Sequence, residues 1–263
     1  DVVLLLGDMA PAVQGDQIAG CTEQEAALAV EALAGLHGPS WCDAQWMDLA
    51  AIAMPKPGDD DAAKGLGDIS KMAADIVIDC LETIADDESP AEALLSRLTE
   101  ANRLVRERAA LSGAEGMGST VVAVMVVRAM AWVAWVGDAR AYLVRGGRLR
   151  LLTRDHTLVQ ALVDKGELRP EEAERHPESH IVTRAVGGAP KIEIDLLTQP
   201  LLPGDRLMLC SDGLPRAIYE PTIEALLAGA DGAQAGCERL ISEALANGAS
   251  DNVSAIVVDV REG

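Results

Sequence analysis

The run from Val121 to Val136 constrains this chain more than any other, because it is almost wholly apolar and has to be buried. It approaches the length of a membrane span, for which a helix needs about 20 apolar residues. Arg128 sits in its middle, where a lone charge in lipid costs about 2.5–3.5 kcal/mol. The Val-rich halves on either side read instead as two buried strands around a turn.

The 263 residues, 49% of them hydrophobic, supply a core for one large domain, and no linker-like run of Pro, Gly and Ser divides them. A single domain over residues 1–263 is expected. The formal charge of −20 argues against a nucleic-acid footprint or an anionic-membrane surface, both of which need clustered Lys and Arg. The five cysteines, Cys21, Cys42, Cys80, Cys210 and Cys237, lack the paired short spacings of a zinc site or redox dithiol. A reducing cytoplasm is the simplest account of them. The chain begins at Asp1 without a charged-then-apolar leader, so a signal peptide is expected to be absent or removed.

Elements follow from pattern. Val2 to Leu6 reads as a strand, Thr22 to Leu33 as a capped helix, and Trp46 to Ala53 as a strand leading into a Pro-rich acidic loop. Two long amphipathic helices are expected at about Asp68 to Ala85 and Pro90 to Ala110, the second with Leu94, Leu95, Leu98, Leu104 and Val105 at helical spacing. After the apolar pair, Ala141 to Val144 and Leu149 to Leu151 make a hairpin about Gly146-Gly147. A helix is expected between His156 and Lys165, and a short one starts at Pro170. Ile181 to Ile194 returns through Gly187-Gly188. Further helices are expected near Glu220 to Ala228 and Gln234 to Ala246. Strands in two groups with paired helices between them suggest an α+β fold: a four-layer αββα sandwich of two mostly antiparallel sheets.

Two motifs carry possible chemistry. Leu207 to Cys210 is a buried strand that breaks into Ser211-Asp212-Gly213, and Ser250-Asp251-Asn252 precedes a second apolar strand, Val253 to Val258. Facing one another, two strand-edge aspartates would suit Mg²⁺ or Mn²⁺, which prefer oxygen ligands. Each Asp alone is more readily read as the cap of a turn or helix.

In one unbroken order, the chain carries Gly-Met-Gly-Ser-Thr at 116–120, Val-Gly-Asp-Ala-Arg-Ala-Tyr at 136–142, Leu-Thr-Arg-Asp-His-Thr-Leu-Val at 152–159, Thr-Arg-Ala-Val-Gly at 183–187, Leu-Cys-Ser-Asp-Gly-Leu at 209–214 and Ser-Asp-Asn-Val at 250–253. This series resembles the metal-dependent protein phosphatase family of the protein phosphatase 2C (PPM) type, in particular its bacterial members. The resemblance implies a β-sandwich flanked by paired helices. It implies that Asp212 and Asp251 are Mn²⁺ or Mg²⁺ ligands and that Asp138 matches a ligand of a third metal found in some members. Two ions about 3.5–4 Å apart can activate a bridging water for in-line attack on a phosphoryl group, so no protein nucleophile is implied.

The N-terminal residues 1–58 depart from that pattern. Active members carry Val-Ala-Asp-Gly-Met-Gly-Gly, whose Asp bridges both metals; laid on this chain, the bridging Asp falls on Met54 and the following Gly on Pro55. A thioether is a soft, uncharged donor, a poor substitute for that carboxylate. The family's phosphate-binding Arg has no clear match, and of its Asn-Glu-Asp motif only Asp16 has a counterpart. Weaker ligand candidates are therefore Asp16, Gly213, and Asp59, Asp60 and Asp61, acids of the loop beside the lost position.

The expectation is a phosphatase-like domain with impaired catalysis, a pseudophosphatase that binds a protein partner, a phosphoprotein or a Ser/Thr kinase, in phosphorylation signalling. The alternative is an active Mn²⁺- or Mg²⁺-dependent Ser/Thr phosphatase with a rebuilt site. His156 reads as a cap or core residue rather than a general acid, and His176 and His180 as surface residues. The tryptophans read as core, and Arg184 either pairs with an acid or lies near substrate.

Overall fold

A computed structural model describes residues 2–6 as backbone and 72–85, 88–114, 116–173, 176–249 and 251–261 in full. The expected helix at Thr22 to Leu33 and strand at Trp46 to Ala53 lie outside the described residues, as do Asp16, Met54, Pro55, Asp59, Asp60 and Asp61.

The strands are β1 (Val2–Leu6), β2 (Val121–Val127), β3 (Met130–Val136), β4 (Arg140–Arg145), β5 (Arg148–Leu151), β6 (Asp195–Pro200), β7 (Arg206–Cys210) and β8 (Ala255–Asp259). The helices are α1 (72–82), α2 (Pro90–Ser112), α3 (Leu158–Asp164), α4 (Pro170–Ala173), α5 (Gly213–Ala217), α6 (Glu220–Ala228) and α7 (Ala233–Ala246). One sheet has the order β1-β2-β3-β6 and the other β5-β4-β7-β8. Every pairing is antiparallel.

The apolar run is the hairpin β2–β3, with Val127 opposite Met130 and Arg128-Ala129 as its two-residue turn. Both turn residues have positive φ, 49° and 58°, the twist that matches a two-residue hairpin to its strands. The Gly146-Gly147 turn makes the same bend with φ of 57° and 78°. Arg128 therefore escapes burial by sitting at the bend.

Alternation explains why these strands are apolar on both faces. Val121, Ala123, Met125, Ala134 and Val136 pack with Ala73, Ala74 and Val77 of α1 and Leu94, Leu98, Ala101 and Val105 of α2. Their neighbours Val122, Val124, Ala131, Val133 and Trp135 face the other sheet, meeting Ala141, Leu143, Leu207 and Leu209. On the far face of that second sheet, Tyr142, Val144, Met208 and Cys210 pack with Ile223 and Leu227 of α6 and Leu240 and Ala244 of α7. Helices, sheet, sheet, helices is the order of layers expected from the sequence.

Two elements differ from expectation. The strand that completes the first sheet beside β3 is Asp195–Pro200, whereas residues 181–194 contribute only bridges, Val182 to Thr157 and Val186 to Ser119. Polar Thr198 and Gln199 and terminal Pro200 disguise β6 as a connection, which an edge position permits. Strand β8 begins at Ala255, so Asp251 lies in the loop before it.

Candidate functional site

Antiparallel pairing decides where the three aspartates meet. Arg140 at the start of β4 is opposite Cys210 at the end of β7, and Cys210 is in turn opposite Ala255 at the start of β8. Asp138 just before β4, Asp212 just after β7 and Asp251 in the loop before β8 therefore emerge at one end of one sheet.

Glycines hold the turns close. Gly213, the first residue of α5, lies so near the neighbouring loop that a Cβ there would stand 2.2 Å from the Asn252 carbonyl oxygen. Ser211 ties the same loops together. Its N–H donates to the Ser254 carbonyl (3.1 Å), its hydroxyl donates to the Asn252 carbonyl (3.1 Å), and the Ser254 N–H donates back to that hydroxyl (3.1 Å). The Asp251 carboxylate accepts from the N–H of the next residue, Asn252, at 2.9 Å. Gly137, with φ of 110°, leaves no room for a side chain, because a Cβ would overlap Thr120 at 2.3 Å.

His156 braces the Asp138 turn from behind. Its ring Nδ1 accepts the Gly137 N–H at 3.0 Å, and its own N–H donates to the Gly137 carbonyl at 2.9 Å. The ring stacks on Trp135, with centroids 6.2 Å apart. Burial, and then the nearby Arg184 guanidinium, lower its pKa below the ordinary histidine value. A ring that accepts at Nδ1 and resists protonation is a structural brace. Arg184 forms ion pairs with Asp195 at 3.0 Å and Glu193 at 3.2 Å, which is the first of the two roles read from the sequence. His176 is half-buried and His180 exposed.

The residue that sequence reasoning missed is Arg216. Four residues after Asp212 on the short helix α5, its Nη2 lies 2.5 Å from Asp212 Oδ2 and 4.0 Å from Asp138 Oδ2, while its Nη1 donates to Asp251 Oδ2 at 3.3 Å. The Asp138 and Asp212 side chains are only 3% and 8% exposed, and buried carboxylates need matched charge. The signal was an i, i+4 Asp–Arg spacing, which helix geometry places on one face. Its reach to the other two acids depends on the strand ends meeting, which spacing alone does not reveal.

A family profile for protein phosphatase 2C matches residues 65–161. The serine/threonine protein phosphatase PstP of Mycobacterium tuberculosis is 37% identical over 205 residues, covering 75% of this chain and 39% of that protein. The serine/threonine phosphatase stp of Listeria welshimeri is 37% identical over 144 residues, covering 55% of this chain and 57% of that protein. A crystal structure of the PstP catalytic domain in complex with two manganese ions superposes with a TM-score of 0.65 at 34% identity, over 73% of this chain and 82% of that one. The chain belongs to the protein phosphatase 2C family. It spans less than two thirds of the length of these two bacterial relatives.

Protein phosphatase 2C enzymes depend on Mn²⁺ or Mg²⁺. The donor chemistry gathered here suits such hard cations, since all three groups are carboxylates. Among the described residues no group of three His, Cys, Asp or Glu side chains is arranged to hold an ion, and the carboxylates of this protein phosphatase 2C domain instead surround a guanidinium. Nor is any helix among the described residues long and apolar enough to cross a membrane.

Proposed function

We propose that this protein phosphatase 2C domain, a single unit over residues 1–263, is impaired in hydrolysis and acts as a regulatory or protein-binding module in Ser/Thr phosphorylation signalling. Its partner would be a phosphoprotein or a Ser/Thr kinase, met in the cytoplasm. The observation that carries this reading is the pair Met54-Pro55 at the place the family resemblance gives to the bridging aspartate and its glycine.

The physical consequence is a missing negative charge between the two cations. Each ion repels the other, and a bridging carboxylate offsets that repulsion while supplying an oxygen to both. A methyl-sulfur group does neither. Asp212 and Asp251, with Asp138 beside them, retain only the C-terminal half of the ligand set, enough at most for one weakly held ion among waters. Phosphate capture is weakened too, because the upstream arginine fork has no counterpart near Asp16.

The chain's own residues then position rather than react. The carboxylates of Asp138, Asp212 and Asp251 set a strongly acidic end to the second sheet, and the Ser211 hydrogen bonds keep it rigid. The second reading is an active enzyme in which Asp59, Asp60 or Asp61 replaces the lost acid; the convergence of the three retained aspartates favours it.

Hydrolysis of para-nitrophenyl phosphate and of a phosphothreonine peptide with millimolar Mn²⁺ separates the two. The impaired domain is expected to show no turnover above that of its Asp212→Asn variant. Manganese-dependent turnover abolished by Asp212→Asn would establish the active enzyme.

A further inference from the structure

We propose that Arg216 is a tethered cation that occupies the aspartate cluster in competition with a divalent metal, so that metal loads only when the guanidinium swings out. The inference rests on the reading of an incomplete metal centre and names what fills it.

Three observations carry it. The guanidinium contacts acids from three separate loops, with Nη2 at 2.5 Å from Asp212 and 4.0 Å from Asp138, and Nη1 at 3.3 Å from Asp251. Two of those carboxylates are almost wholly buried, where an uncompensated charge is strongly disfavoured. Arginine cannot shed its charge as lysine or histidine can, so at every ordinary pH the cluster faces a fixed cation.

Competition follows from distance. A divalent ion takes carboxylate oxygens at about 2.0–2.2 Å. The same Asp212 oxygen is already 2.5 Å from a guanidinium nitrogen, and two cations cannot share that space without strong repulsion. The arginine also has an exit. Its side chain is 34% exposed on a helix of one turn, so it can rotate to solvent without unpacking the core.

The test is a calorimetric Mn²⁺ titration of the full chain, its Arg216→Gln variant, and the Arg216→Gln/Asp212→Asn double variant. Arg216→Gln is expected to bind Mn²⁺ at least about tenfold more tightly than the wild type, equivalent to about 1.4 kcal/mol, and the double variant to lose the gain. Thermal melts are expected to follow, with Mn²⁺ raising the melting temperature of Arg216→Gln more than that of the wild type. An affinity within about twofold of wild type, or a gain that persists without Asp212, overturns the proposal. If Arg216→Gln does not fold, Arg216→Met keeps the aliphatic stem and carries the same expectation. Phosphatase turnover of the wild type, measured alongside, keeps the two readings apart. Wild-type hydrolysis with a gain in Arg216→Gln refutes impairment alone, and no hydrolysis with no gain refutes the arginine alone.

Discussion

Gly213→Ala is expected to destabilise the fold by about 3 kcal/mol or more, a larger loss than most single substitutions at a helix start produce. The reason is space and not backbone conformation. An added Cβ would lie 2.2 Å from the Asn252 carbonyl oxygen and 3.0 Å from its carbon, and both are main chain, so no flexible side chain can yield. The loop before β8 has to move outward, breaking the Ser211 hydrogen bonds to Asn252 and Ser254 and carrying Asp251 away from Asp212. Gly146→Ala is the control. Its φ of 57° makes Ala unfavourable by about 1 kcal/mol, but nothing lies within 4 Å of the new methyl. Urea unfolding of the two variants should therefore show a large shift in midpoint for Gly213 and a small one for Gly146.

Leu209→Ala is expected to destabilise by about 3 kcal/mol, within the range of about 2–5 kcal/mol seen for buried leucines. Leu209 is fully buried between the two sheets, on β7, two residues before the Ser211 that stitches the site. Its neighbours Val122, Val124, Val133 and Leu143 belong to three other strands, so no single element can shift to fill the cavity. For a domain of this size the melting temperature should fall by about 6–12 °C. A fall of only a degree or two would mean that Leu209 does not lie between the sheets.

Both predictions depend on features that the sequence displays unequally. The sandwich was legible because Val121–Val136 is apolar on both faces: a strand alternating its side chains can be so only when each face is covered. Arg128 marked the turn for the same reason, being the one place in the run that a charge could leave the core. β6 was missed because Asp195–Pro200 is an edge strand with few buried side chains, and periodicity fades where only part of one face is packed. α5 was missed because five residues containing Pro215 are too few to show a helical period.

The site divides in the same way. Asp212 and Asp251 could be read from the motifs, since Asp212 follows a buried strand and precedes a glycine, and Asp251 precedes an asparagine in the loop before another strand. That Asp138 joins them follows from strand order, because the start of β4, the end of β7 and the start of β8 share one end of the sheet. Arg216 was invisible for a different reason. An arginine four residues from an aspartate is ordinary on any helix, and its three contacts exist only once three loops have been folded together. His156 was rightly read as structural, but its grip on Gly137 is a contact across 19 residues that no local pattern encodes.

The most direct test of the central claim, a site without its bridging acid, is anomalous diffraction at the manganese edge from crystals of the unaltered chain grown with millimolar Mn²⁺. The account predicts at most a single weak peak beside Asp212 and Asp251. Two full peaks about 3.5–4 Å apart, joined by a carboxylate, would contradict it.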